Sequence, residues 1–235
     1  MGRQRKSGYP RKEEQIMRKL NNKEVEDHEG EEHSGPPLFM VHQPHEDKAD
    51  INLRKIGLIG DVTEEKSSDI IYGLYALKEM GRFEEPPASK RGKPKVGFHP
   101  MDFLISTNGG SASDMFAIYD VMREIRKECV ISTHGLGKVM SAGVLLLAAG
   151  SKGHRKIGKH CRVMIHGVIA GNSGPMFNLE NEMNEVRETQ KRYIEALRAE
   201  TKMTATQINK FLERHVDIYL SAEEAVKLGI ADKIV

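Results

Sequence analysis

The sequence is short of several things that narrow its class. It has only two cysteines, Cys129 and Cys161, and they show no metal-ligand spacing. Both read as reduced thiols of a cytosolic-type protein. No long hydrophobic run is present: the longest, around Met140 to Ala149, is far short of a membrane span. The N-terminus carries no apolar stretch of the kind a secretion signal needs, so a cytoplasmic location and no membrane partner are expected. Charge of either sign is not in excess. The formal net charge is +2, which gives no electrostatic case for a nucleic-acid partner at the level of the whole chain. The Asn108-Gly109-Gly110-Ser111 turn is not G-x-G-x-x-G and has no phosphate-loop lysine, which argues against a dinucleotide site there. No internal repeat of fixed period stands out.

What is present suffices for one domain. The chain has 235 residues, of which 38% are hydrophobic. Yet 30% are charged and the mean hydropathy is −0.51, polar for a single folded unit. The N-terminal 50 residues account for the excess. Arg3, Arg5, Lys6, Arg11, Lys12, Arg18, Lys19 and Lys23 form a basic stretch, and Glu24, Glu26, Asp27, Glu29, Glu31 and Glu32 an acidic one. Gly35-Pro36-Pro37 and a small apolar patch, Leu38 to Val41, follow. Low hydrophobicity with segregated charge predicts a disordered tail or pro-segment over 1–50, with room for a short helix over Glu13 to Leu20. The Leu38 to Val41 patch is its best docking element.

A folded domain is expected over 51–235. Lys55 to Gly60 reads as a strand. Ile70, Ile71, Leu74, Leu77 and Met80 have helical spacing within Val62 to Met80, and Gly81 ends that helix. Residues 82–100, rich in proline and glycine, read as an inserted loop. Phe103 to Ser106 is a buried strand. It runs through Asn108-Gly109-Gly110-Ser111 into a helix marked by Met115, Ile118, Tyr119, Met122 and Ile125. Cys129 to Thr133 is a further strand, Gly153 to Lys159 a basic turn, and Arg162 to Ile165 a strand ending at His166. Pro175 stands where a first helical residue is expected. The long helix after it runs to about Thr201, with Leu179, Met183, Val186, Gln190, Tyr193 and Leu197 on one stripe and charge elsewhere. That stripe predicts packing against something outside its own small core. A helix over Ala205 to Glu213, a strand at Ile218 to Leu220, a helix opened by Ser221 to Glu224 and a final strand over Ile230 to Val235 complete an α/β alternation.

The chemistry centres on Gly137 to Gly150. A turn of small residues carries Ser141 and gives way to pure core, Val144 to Ala149. Two readings stand for Ser141: a helix N-cap, or a nucleophile beside unpaired helix N–H groups. His166 and Asp217 also sit where strands end or begin, the places where α/β proteins collect active sites. Acyl transfer needs a hydroxyl, a base near neutral pKa, a carboxylate to orient it and N–H donors for an oxyanion. Gly110 and Ala142 could supply the donors. Spacing alone does not select this group, since Asp217 could equally be a helix cap and His166 is one of ten histidines.

A resemblance to a known family, carried by four ordered motifs, does select it. Thr107 to Asp120 carries paired glycines and then Ala117-Ile118-Tyr119-Asp120. Ser141 is followed by Leu146-Leu147-Ala148-Ala149-Gly150 and Lys152-Gly153. Arg162 to Ile165 leads into His166, and Asp217 precedes Ile218-Tyr219-Leu220-Ser221-Ala222-Glu223-Glu224-Ala225. With these motifs, Lys55 to Val235 resembles the ClpP serine protease family. Thr107-Asn108 stands where that family usually has Ser-Pro, Ala142 where it has methionine, and Gly167-Val168 where it has Gln-Pro. Such departures are similar to those of a bacteriophage-type or organellar relative.

The resemblance implies an α/β fold of ClpP/crotonase-like repeated ββα units with a protruding handle helix over 175–201. It implies Ser141 as nucleophile, His166 as general base, Asp217 as its orienting partner, and Gly110 and Ala142 as oxyanion donors. It further implies a homo-oligomer of two stacked heptameric rings joined through the handle, unfolded polypeptide as substrate and an AAA+ unfoldase as partner. No metal or organic cofactor is expected. Alternatives are a non-catalytic ring or scaffold subunit, a phage prohead maturation protease and, on the related fold, an acyl-CoA enzyme.

Overall fold

The computed structural model describes residues 53–87, 92, 94–171, 173–212 and 216–235. The expectations for residues 1–50 lie outside the described residues. Strand β1 (Lys55–Ile59) leads to Thr63, whose side chain accepts from the Lys66 N–H and so caps helix α1 (Glu64–Met80). After Gly81 come β2 (Arg82–Glu85) and β3 (Lys95–Phe98), then β4 (Met101–Thr107), α2 (Ala112–Ile125), β5 (Ile131–Met140) and α3 (Ala142–Ala148). The chain continues as β6 (Lys156–Ile157), β7 (Arg162–Ile165), the long α4 (Met176–Glu200), α5 (Ala205–Leu212), β8 (Ile218–Leu220), α6 (Ala222–Lys227) and β9 (Lys233–Ile234). The expected mixed α/β architecture is what forms. Its main sheet has strand order β1-β4-β5-β6-β9, all parallel, with β7 beside β5 and β8 antiparallel to β7.

Three expectations need correction. Residues 82–100 are not simply a loop: β2 and β3 pair antiparallel, Arg82 opposite Phe98 and Glu85 opposite Lys95. The Phe83 ring lies over Gly97, where an added Cβ would come within 2.5 Å of it, and against the His99 ring at 4.6 Å. Aromatic cover over a glycine holds strands too polar to be read from periodicity. Second, β5 starts at Ile131 and runs ten residues into the glycine-rich stretch expected to be a turn. Its first half pairs with β4 and β6, and Lys138–Met140 pair with β7. Gly137 takes φ 62°, a conformation that side-chain-bearing residues disfavour, between these two pairings. Third, Pro175 is the N-cap of α4, and Met176 is the first helical residue.

The core lies between the sheet and the helices. One face of β4 (Met101, Phe103, Ile105, Thr107) is wholly buried. Every residue of α3 is buried, as expected of a helix that is apolar all round. The stripe on α4 divides: Tyr193 and Leu197 are buried, Leu179, Val186 and Gln190 half-buried and Met183 exposed, as are Met176 and Phe177 at the start of the helix.

Buried charge anchors the C-terminal end of α4. Glu200 is 2% exposed, and Arg126 grips both its carboxylate oxygens at 2.9 and 2.5 Å. Tyr119 donates to it at 3.0 Å and Lys152 pairs with it at 3.1 Å. Burial alone would raise the Glu200 pKa, but the Arg126 and Lys152 contacts outweigh it and hold the carboxyl below its ordinary value. Arg155 donates to the carbonyls of Ala148, Glu200 and Gly229 and forks onto Asp232. It thereby ties the ends of α3, α4 and α6 to the segment before β9.

Burial raises the Asp232 pKa, but hydrogen bonds from the Arg155 side chain and from the Arg155 and Gly153 N–H groups lower it from 3.8 to about 2. A depressed carboxyl contributes stability above its unfolded value and loses it as pH falls through the folded one. The contribution is therefore full above about pH 4 and vanishes towards about pH 2, a change of about 2 kcal/mol. Thermal unfolding of Asp232→Asn from pH 7 to pH 2 is expected to show lower stability at pH 7 and a flatter acid limb than wild type.

Candidate active site

The pairing of β5, β7 and β8 brings three residues to one edge of the sheet. Met140 is in register with Met164 in the parallel β5–β7 pair, and Ile165 with Ile218 in the antiparallel β7–β8 pair. Ser141 follows the first strand, His166 follows the second, and Asp217 precedes the third. Strand register alone thus gathers side chains from three distant stretches of chain.

Ser141 is the one non-glycine residue with positive φ among the described residues, at φ 53° and ψ −118°. A side-chain-bearing residue there is strained by about 1–3 kcal/mol. Surrounding bonds hold it: its N–H donates to the Met164 carbonyl at 2.8 Å, and its own carbonyl accepts from Val144 N–H at 3.0 Å and from the Tyr193 hydroxyl at 3.1 Å. Ser141 heads α3, but its hydroxyl makes no capping bond. It meets His166 Nε2 at 2.7 Å instead. Of the two readings of Ser141, the side-chain N-cap is therefore the one the geometry does not support.

The other ring nitrogen of His166, Nδ1, lies 3.6 Å from Asp217 Oδ1. That separation exceeds the roughly 3.2 Å limit of a good hydrogen bond but is within ion-pair range. The Asp217 side chain is 48% exposed and His166 18%. Closing the gap takes a carboxylate movement of about half an ångström, of the sort that follows when a site closes on substrate.

The paired glycines lie against the serine. A Cβ at Gly109 (φ 108°) would come within 2.5 Å of Ser141 Cβ, and one at Gly110 (φ 143°) within 2.3 Å of the Val62 carbonyl oxygen. Val62 N–H donates to the Gly109 carbonyl and Ser111 N–H to the Val62 carbonyl, at 2.7 and 3.0 Å. The N–H groups of Gly110 and Ala142 make no hydrogen bond among the described residues. Both residues line a cleft of about 360 Å³ with Ser141 and His166, against apolar walls that include Met115, Phe116 and Val168. Gln190 on α4 accepts from Val168 N–H at 3.2 Å and so holds the chain just beyond His166.

All five residues singled out in the sequence thus occupy one locality. Two contributors were not singled out. Gln190 and Tyr193 were placed on the α4 stripe, yet their polar atoms reach the backbone of the site. Polar tips within an apolar stripe are the available signal. No group of residues able to hold a metal ion occurs among the described residues. None of the helices searched is long and apolar enough to cross a membrane.

A nucleophile–base contact, a carboxylate behind the base and two unspent N–H donors can together run acyl transfer. The chain also matches known proteins. The Clp protease family model matches residues 97–235. The ATP-dependent Clp protease proteolytic subunit 4 of Rhodococcus jostii (strain RHA1) is 34% identical over 131 residues, 56% of this chain. The match covers 66% of that relative's own length.

Gly109→Ala is expected to destabilise the fold by about 1–3 kcal/mol, because the new Cβ meets Ser141 and the residue must keep a positive φ. Chemical denaturation against wild type measures this. Wild-type stability in the variant would mean that the 108–111 turn is free to move away from Ser141.

Proposed function

The chain belongs to the Clp protease family, and from that premise we propose that it is a serine endopeptidase subunit that hydrolyses unfolded polypeptide through an acyl-enzyme. The observation that carries this reading is the 2.7 Å contact from Ser141 Oγ to His166 Nε2, made by a serine in a strained, positive-φ turn. His166 takes the Ser141 proton as Oγ attacks the scissile carbonyl carbon. The resulting oxyanion accepts hydrogen bonds from the Gly110 and Ala142 N–H groups. His166 then gives its proton to the leaving amine, and the C–N bond breaks to leave an ester on Ser141. Water, deprotonated by His166, attacks that ester and releases the acid, and the proton returns to Ser141. Asp217 orients the imidazole and stabilises its charged form. Every group the reaction needs is a side chain or backbone amide, so it calls for no metal or organic cofactor.

The assembly proposed is a ring-forming homo-oligomer working in the cytoplasm, fed by an AAA+ unfoldase. Exposed Met176, Phe177 and Met183 on α4 support a role for that helix in joining subunits. One observation favours a second reading, a ring subunit without activity of its own: the 3.6 Å from His166 to Asp217 leaves the base incompletely oriented.

Labelling with a fluorophosphonate probe separates the two readings. The adduct is expected on Ser141 by mass spectrometry and absent from Ser141→Ala, which should also lose peptide hydrolysis by at least about 1,000-fold. An unlabelled wild type, with and without residues 1–50, would rule out the enzyme reading and leave the silent subunit.

A further inference from the structure

Tyr193 contributes more than packing to the site. Its ring is buried, and it lies seven residues before Glu200, the anchored end of α4. Its hydroxyl donates to the Ser141 carbonyl at 3.1 Å. No other side chain bonds to that carbonyl among the described residues, and the remaining donor is the Val144 N–H. Burial pushes the phenol far above its usual range, so it stays a neutral donor.

The Ser141 carbonyl and the Ala142 N–H belong to one peptide unit. A trans peptide is planar, and its C=O and N–H point in opposite directions. Whatever fixes the carbonyl therefore fixes the N–H. This matters because Ser141 occupies a backbone region that a side-chain-bearing residue leaves readily. Rotation of the 141–142 peptide would leave φ of Ser141 positive but carry its ψ from −118° towards the left-handed helical region, where a side chain is better tolerated. It would also turn the Ala142 N–H out of the cleft and the carbonyl into it, where a lone pair would repel a developing oxyanion.

We infer that Tyr193 is a positioning residue whose hydroxyl, by holding the Ser141 carbonyl, aims the Ala142 N–H at the oxyanion of the tetrahedral intermediate. The inference rests on the serine mechanism proposed above. In this role Tyr193 acts through the Ser141 peptide rather than on the reacting atoms, although it also lines the cleft. It joins the long helix to the chemistry through one hydrogen bond.

The test is Tyr193→Phe in the full-length chain, with hydrolysis of a short fluorogenic peptide and affinity for a peptide boronic acid as readouts. The boronate forms a tetrahedral, negatively charged adduct on serine and so needs the oxyanion donors. The expected result is a fall in kcat of about tenfold, the value of one hydrogen bond, with KM held within about twofold. Boronate affinity is expected to fall by the same factor as kcat. Replacement by 3-fluorotyrosine, which keeps the hydroxyl, should retain kcat within about twofold. A rise in KM at unchanged kcat overturns the proposal, as does a loss of fold or assembly, since Tyr193 would then be a packing residue only. An active wild type with an equally active Tyr193→Phe overturns this inference alone. A wild type as inert as Ser141→Ala overturns the serine mechanism and this inference with it.

Discussion

The backbone at Ser141 is the constraint on which the rest of the site depends. A non-glycine residue at φ 53° persists only where its surroundings allow no other conformation. Here the N–H is held by β7, the carbonyl by α3 and α4, and the Cβ by the closeness of Gly109. Three elements and a turn thus meet on one residue. The consequence is that the hydroxyl faces His166 while the adjoining peptide leaves its N–H unspent. A relaxed serine in the same place would cap its helix with that hydroxyl, and the contact with His166 would be lost.

Holding such a turn requires that α4 not slide. The site-facing atoms of α4, Gln190 and Tyr193, contribute one hydrogen bond each. Neither would fix a helix of 25 residues whose first half is largely exposed. Register comes from Glu200, roughly 10 Å further along the axis from Tyr193. Arg126, Lys152 and Tyr119 on its carboxylate, with Arg155 on its carbonyl, fix the end of the helix in both translation and rotation. Removing one partner from such a group leaves an uncompensated buried charge, which makes the anchor stiff rather than adjustable.

Much of this was legible from residue order. The α/β alternation followed from helical spacing between short apolar runs, and the grouping of Ser141, His166 and Asp217 from the family resemblance that their flanking motifs carry, not from spacing. The hairpin of β2 and β3 was hidden because its strands are polar and its stabilising contact, Phe83 over Gly97, is cross-strand. The true length of β5 was hidden because Gly135 and Gly137 signal a turn locally, while pairing with β4, β6 and β7 keeps the strand extended. Tyr193 was hidden for another reason. Periodicity assigns a face to an aromatic residue and says nothing about where its hydroxyl ends. Pattern reading recovers what sequence-local energies decide, and misses what is decided by a partner far along the chain.

Charge is distributed between these two regions in opposite senses, and the difference follows from their tasks. The anchor uses formal charges, Glu200 and Asp232 against Arg126, Lys152 and Arg155, each with several hydrogen bonds to offset its desolvation. Among the described residues, no aspartate, glutamate, lysine or arginine lines the cleft, whose walls combine apolar side chains with polar ones such as Asn108, Ser111 and Thr189. An oxyanion that forms and disappears within one turnover is best met by fixed dipoles. They need no counter-ion when it is absent and no reorganisation when it forms. A lysine beside Ser141 would bind the ground state and its anionic products as readily as the intermediate, and would perturb the imidazole next to it. Permanent charge suits the part of this fold that must never move. On the serine mechanism proposed above, a transient charge would meet peptide dipoles, and those act only while the strained turn at Ser141 holds its peptide plane.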